Sequence, residues 1–175
     1  MHHEKRSTLV SIYLVLCLII FSSYQPKNIS NTLKWISFEE ALALQAKEPR
    51  KILIDVYTDW CGWCKKMDKY TYTDEGVIQH LKDKYYLVRL NAEQKEDILY
   101  KEKVFKYKTE YKANELAVSL LNGQMSYPST VFLDEDMNLL SVVPGYLTPK
   151  DLNPILKYFG ENIYKVKNWK EYSGE

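Results

Sequence analysis

The first pattern along the chain is an apolar run from Leu9 to Phe21, broken only by Ser11. Lys5 and Arg6 precede it, and the small residues Ser22 and Ser23 follow. A positive start, a short apolar centre and small residues at a cleavage point are the layout of a secretory signal peptide. A membrane span would need about 20 apolar residues. Residues 1–23 are therefore read as a leader, with an uncleaved anchor over residues 9–21 as the alternative. Lipidation at Cys17 is disfavoured by the bulky Leu16 before it and the apolar sequence after it. Residues 24–32 read as a polar tether, 33–165 as one domain, and 166–175 as a polar tail that frays.

Beyond the tether the pattern alternates between helical and extended periods. Ser37 and Glu40 form a capping box, and Ala41, Leu42 and Leu44 continue an apolar face, which predicts a helix ending before Pro49. "KILIDVYT", Lys51 to Thr58, is dense in branched and aromatic residues and reads as a buried strand. Its single acid is Asp55. A helix is predicted from Gly62, then further helical turns through Val77, Ile78 and Leu81, then a strand over Tyr85–Glu93. Ile98 to Tyr107 alternates around a charged centre at Lys101–Lys103 and predicts a small hairpin. Asn114–Leu121 reads as a helix stopped by Asn122-Gly123. Thr130–Asp134 and Leu139–Val143 flank an "EDMN" turn and predict an antiparallel hairpin. Thr148-Pro149 opens a last helix to about Phe159. This order predicts an α/β fold with a central mixed sheet and helices on both faces.

Charge changes the picture by exclusion. Lys plus Arg number 24 and Asp plus Glu 23, so no basic surface suited to nucleic acid is implied. Six glycines and six prolines in 175 residues argue against a fibrous or low-complexity chain. No G-x-G-x-x-G fingerprint is present, so no dinucleotide cofactor is expected.

The candidate chemistry lies in "TDWCGWCKKM", residues 58–67. With the leader removed, Cys61 and Cys64 are the remaining cysteines. In an exported protein they pair only with each other within one chain. So short a loop adds little stability as a staple, which favours a reactive dithiol. Half a metal site is the rival reading, but a structural zinc needs about four ligands. The histidines are His2 and His3 in the leader and an isolated His80. Asp55, six residues before Cys61, is the one acid of an apolar strand. Burial there raises a carboxyl pKa and suits it to proton transfer. Trp60, before the first cysteine, reads either as ordinary packing, the weightier reading, or as a ring that shields the sulfurs and offers an apolar docking surface. Trp63 reads as an apolar docking surface, and Tyr57 as packing beneath the pair. Lys65 and Lys66 read as a solvated helix face.

"ILIDVYTDWCGWCKKM", "YPSTVFLDEDMNLL" and "VPGYLTPKDL" together resemble the thioredoxin superfamily over roughly residues 33–160. The likeness is nearest to exported thioredoxin-related domains, including the C-terminal domains of membrane thiol:disulfide interchange proteins. The resemblance implies a thioredoxin-like fold carrying a small inserted hairpin near 98–110. It implies that Cys61 attacks a substrate disulfide, that Cys64, the more shielded thiol, resolves the mixed disulfide, and that Asp55 accepts a proton behind them. Arg89 matches a position where a basic residue lies near that acid. Pro128 is expected after a cis bond facing Cys61. Trp60, Gly62, Trp63, Tyr127, Pro128 and Gly145 are expected to line the substrate site. The implied partners are disulfide- or thiol-bearing proteins and a membrane thiol electron donor, with a monomeric protein in the periplasm. The chain departs from most thioredoxins at Trp63, where proline is usual, at Tyr127, where a smaller residue is usual, and over the inserted 98–112. Oxidation of thiols, isomerisation of disulfides, or binding without turnover remain the alternatives to reduction.

Overall fold

The computed structural model describes residues 32–174. The leader and tether expected before Thr32 lie outside the described residues. The elements run β1 (Trp35–Ile36), α1 (Phe38–Gln45), β2 (Lys51–Tyr57), α2 (Gly62–Tyr70), α3 (Glu75–Lys84), β3 (Tyr85–Asn91), β4 (Ile98–Tyr100), β5 (Lys103–Phe105), β6 (Tyr107–Lys108) and β7 (Ala113–Asn114). They continue as α4 (Glu115–Leu120), β8 (Ser129–Leu133), β9 (Leu139–Pro144), α5 (Pro149–Gly160), a 3-10 turn (Ile163–Lys165) and α6 (Trp169–Ser173).

Five strands form one mixed sheet in the order β1-β3-β2-β8-β9. β2 runs parallel to β3 and antiparallel to β8. A strand between two neighbours and under helices on both faces must be apolar on both faces. Accordingly every residue from Lys51 to Val56 is buried. Successive side chains of β2 point to opposite layers. Ile52, Ile54 and Val56 join one core with Phe38 of α1 and Leu116 of α4. Leu53 joins the other with Met67 of α2, Leu81 of α3 and Leu156 of α5. By the same alternation Asp55 faces the α2 layer.

The helix starts obey their caps. Ser37 Oγ accepts from Glu40 N–H at 3.1 Å, and Asp74 Oδ1 from Val77 N–H at 3.0 Å. Thr148 and Asp151 form a reciprocal capping box with Pro149 in the first turn, where its missing N–H costs no helical bond. At the far end of β2, buried Lys51 pairs with Glu135, whose backbone carbonyl also accepts from Gln45.

The predicted 98–107 hairpin is present as β4–β5, with Lys101 and Glu102 both at positive φ in its turn. A second two-stranded ladder, β6–β7, follows it. The short edge strand β1 was not foreseen: two residues are too few to show an alternating pattern.

The C-terminus corrects the expectation of a frayed tail and extends the domain to Gly174. Asn168 and Glu171 form a second capping box that opens α6. Trp169 packs edge-on to Tyr158 at 5.2 Å, Tyr172 lies 5.2 Å from the same ring, and Tyr158 Oη donates to Lys167 O at 2.8 Å. The polar residues that suggested fraying are the solvent side of a helix whose two aromatics dock on α5. Trp169→Ala is expected to lower unfolding stability by about 1–3 kcal/mol, read by denaturant melts. A frayed tail would leave the midpoint unchanged.

Candidate redox site

β2 delivers the chain to the cysteine pair through a tight turn. Thr58 is buried, and its carbonyl accepts from Cys61 N–H at 3.1 Å. Cys61 is the N-cap of α2, and its sulfur accepts from Cys64 N–H at 3.0 Å. Cys61 and Cys64 form a disulfide with a Cα–Cα distance of 5.3 Å. Spacing by three at a helix start brings the two sulfurs together and leaves the first under the free amides of the helix. Both residues are 3 % exposed, so the expectation that Cys64 is the more shielded does not hold for this disulfide. The bridge tucks the N-cap sulfur back against the first turn and covers both equally. Gly62 opens α2 with empty space where a Cβ would stand.

Asp55 is 1 % exposed. Burial pushes its carboxyl up to about 7, against the opposing pull of Arg89. The register pairs it with Arg89 on one side and Thr130 on the other. Arg89 Nη2 lies 3.3 Å from Asp55 Oδ2, and its Nη1 lies 3.0 Å from Asp68 Oδ1. The guanidinium is stacked over Tyr57 at 4.4 Å and lies 5.4 Å from Trp35. Burial works against its charge, but Asp55 and Asp68 hold its pKa above the ordinary value. A cleft of about 250 Å³ is lined by Cys64, Tyr57, Thr58, Lys65, Asp68 and Arg89. Arg89 thus belongs both to the buried acid and to the cleft that reaches Cys64. Tyr57 packs under the guanidinium and lines the same cleft as Cys64.

The two tryptophans reach across to the loops that carry the remaining sequence-selected residues. Trp60 meets Tyr127 edge-on at 6.0 Å, and Trp63 lies 5.4 Å from Tyr146. The Tyr127–Pro128 bond is cis. Gly145, at φ +92°, donates its N–H to Pro128 O at 2.8 Å. This positive φ favours glycine. The three contacts bring the 127–128 and 145–146 loops to the rim of the cysteine pair. Trp60 is 66 % exposed, which removes ordinary packing from its two readings. It stands outside the core because the turn at Asp59-Trp60 points it at Tyr127, and its indole N–H donates to Glu93 Oε1 at 3.0 Å.

Sequence reasoning missed Asp68, Glu93 and Tyr146. Asp68 carried a usable signal, since it lies four residues after Cys64 and shares its helix face. Glu93 and Tyr146 carried none, because their contacts cross between loops distant in the chain.

A sequence model of the thioredoxin-like domain matches residues 38–160. The chain is 47 % identical over 38 residues, 22 % of its length, to the thiol:disulfide interchange protein DsbD of Actinobacillus pleuropneumoniae. It is 50 % identical over 42 residues, 24 % of its length, to DsbD of Vibrio vulnificus. These matches span only 6 % and 7 % of those relatives. Among solved structures, a thioredoxin-fold protein from Helicobacter pylori superposes with a TM-score of 0.58 at 17 % identity, covering 85 % of this chain and 89 % of the other. A thioredoxin from Thermus thermophilus gives 0.55 at 19 % identity, covering 82 % and 94 %. At such identities the likeness speaks for the shared fold. With the family match running from α1 to the end of α5 and over the cysteine pair, the chain belongs to the thioredoxin-like domain family.

Proposed function

We propose that this protein is an extracytoplasmic thiol:disulfide oxidoreductase that reduces protein disulfides. The observation that carries the reading is a Cys61–Cys64 disulfide at the N-terminus of a helix, with a buried acid behind it. In the reduced form the Cys64 N–H and the helix dipole favour a thiolate at Cys61. That thiolate attacks a substrate sulfur, and the other substrate sulfur leaves as a thiolate. Cys64 then loses its proton and attacks Cys61 sulfur. The substrate leaves as a dithiol, and the protein dithiol becomes the disulfide. Two electrons and two protons pass to the substrate.

Asp55 is the proton acceptor in this scheme. Its carboxyl, about half ionised near pH 7, is matched to taking a proton at neutral pH. Arg89 and Asp68 position it and line the route to Cys64. The relatives' printed role in thiol:disulfide interchange agrees with this chemistry. The leader-like start supports export, and an exported reductase needs a membrane thiol donor to be reduced again. The redox potential tests direction. A value near about −270 mV fits a reductase, and one near about −120 mV makes the protein an oxidant.

Cys64→Ser is expected to accumulate a stable mixed disulfide through Cys61, seen by mass spectrometry under non-reducing conditions. Cys61→Ser is expected to form none and to lose turnover. A protein that binds such partners equally well after either replacement, without covalent capture, would be a binding module.

Asp55→Asn is expected to slow the resolving step on the order of 100-fold at pH 7. It should also remove the rate inflection near that pH, followed by stopped-flow tryptophan fluorescence. The same residue sets a pH dependence of stability. Its folded pKa, about 7, lies above the ordinary 3.8. Its favourable balance is therefore full below pH 3.8, declines as pH rises, and is gone above 7. At pH 8 the Asp55→Asn protein is expected to be more stable than wild type by about 2–4 kcal/mol, with the difference vanishing near pH 4. A gap that stays constant between pH 4 and 8 would remove Asp55 from the acid–base role.

A further inference from the structure

The rim of the cysteine pair has two halves that carry opposite charge. On one half Trp60 meets Tyr127 and is held by Glu93 through the indole N–H. On the other, Trp63 meets Tyr146, and Lys66 Nζ lies over both rings at 4.6 and 5.2 Å. Trp60 and Trp63 are 66 % and 56 % exposed, an unusual cost for side chains whose size favours burial. Neither Glu93 nor Lys66 forms an ion pair among the described residues. The Gly145–Pro128 hydrogen bond ties the loops that carry Tyr146 and Tyr127, so the two aromatic pairs hold a set spacing. Lys66 was read from sequence as a solvated lysine; its placement over two rings makes it part of the rim.

We propose that this rim is a charge-polar clamp that selects which disulfides the protein reduces. Its occupant is an extended protein segment with apolar or aromatic side chains flanking the reacting cysteine. An acidic side chain lies on the Trp63 side, against Lys66, and a basic one on the Trp60 side, against Glu93. The inference rests on the redox reading above and adds to it the polarity of the substrate. Aromatic faces supply sequence-tolerant contact area to such a segment. The two charges supply orientation and discrimination, because reversing the segment sets like charges together at both ends. Cys61 thiolate attacks the segment's sulfur, the leaving thiolate departs, and Cys64 releases the segment as a thiol, with the protein dithiol oxidised to the disulfide.

Two peptides of equal composition test this, Glu-Trp-Cys-Trp-Lys and Lys-Trp-Cys-Trp-Glu, each joined through its cysteine to thionitrobenzoate. Release of the coloured thiol by fully reduced wild-type protein is followed in single turnover. One peptide is expected to react about tenfold faster than the other at low salt, and the ratio should fall towards unity near about 0.5 M salt. The charge-exchanged protein, Lys66→Glu with Glu93→Lys, is expected to invert the preference. Lys66→Gln alone should shrink it about threefold. Because each result is a ratio within one protein, altered redox potential cancels. Equal rates for both peptides in wild type, or a ratio indifferent to salt and to both variants, overturns the clamp. The small bis-aromatic disulfide of the same thiol separates the two readings. Its reduction alongside equal peptide rates defeats the clamp alone, whereas failure to reduce it defeats the redox reading as well.

Discussion

The central strand β2 is the constraint from which the rest follows. It is hydrogen-bonded on both edges and covered on both faces, so its side chains must be apolar or compensated. One is a carboxylate. Asp55 is held 1 % exposed with Arg89 beside it, and a lone ionised carboxylate at that depth would cost several kcal/mol. The protein answers in two ways. It shifts the carboxyl towards its neutral form, and it anchors a guanidinium between that acid and the half-exposed Asp68. A group kept under that tension inside a central strand is destabilising for the fold and suited to moving protons.

The strand also determines where the cysteines lie. β2 ends at Tyr57, and four residues later α2 begins with Cys61 as its cap. A sulfur in that position accepts a helix amide where most helices use a Ser, Thr, Asp or Asn oxygen. The cap that starts the helix is therefore also one half of the disulfide, so local folding and the redox pair share one contact. The rim is assembled differently, from loops 127–128 and 145–146 that lie at the sheet's other strands. Their attachment to the two tryptophans makes one aromatic rim of the positions on either side of the first cysteine.

Much of the fold was legible because its signals are local. Ser37, Thr148-Pro149 and the "KILIDVYT" run announce their elements by capping and periodicity, and the hairpin over β4–β5 by alternation around a charged turn. Elements held by distant partners were not legible. β1 is two residues long and exists because β3 is there to pair with it. α6 looked like a polar tail because its docking partner, Tyr158, sits in the preceding helix and not in its own pattern. Trp60 stayed open between core and rim for a related reason: aromatic residues default to the core, and only the turn geometry turns this one outward.

The sequence by itself determined the chemistry's ingredients: two thiols at helix-start spacing, one acid in an apolar strand, and a proline and glycine in the later loops. Such information is carried by residue type and short spacing. Only the tertiary structure decided that Arg89 bridges Asp55 and Asp68, that both cysteines are equally covered, and that Glu93 and Lys66 charge opposite halves of the rim. Those contacts join residues up to 80 positions apart, as Lys66 and Tyr146 are. No local pattern encodes them, because they follow from the register of β2 against β3 and β8 and from which loops that register brings together.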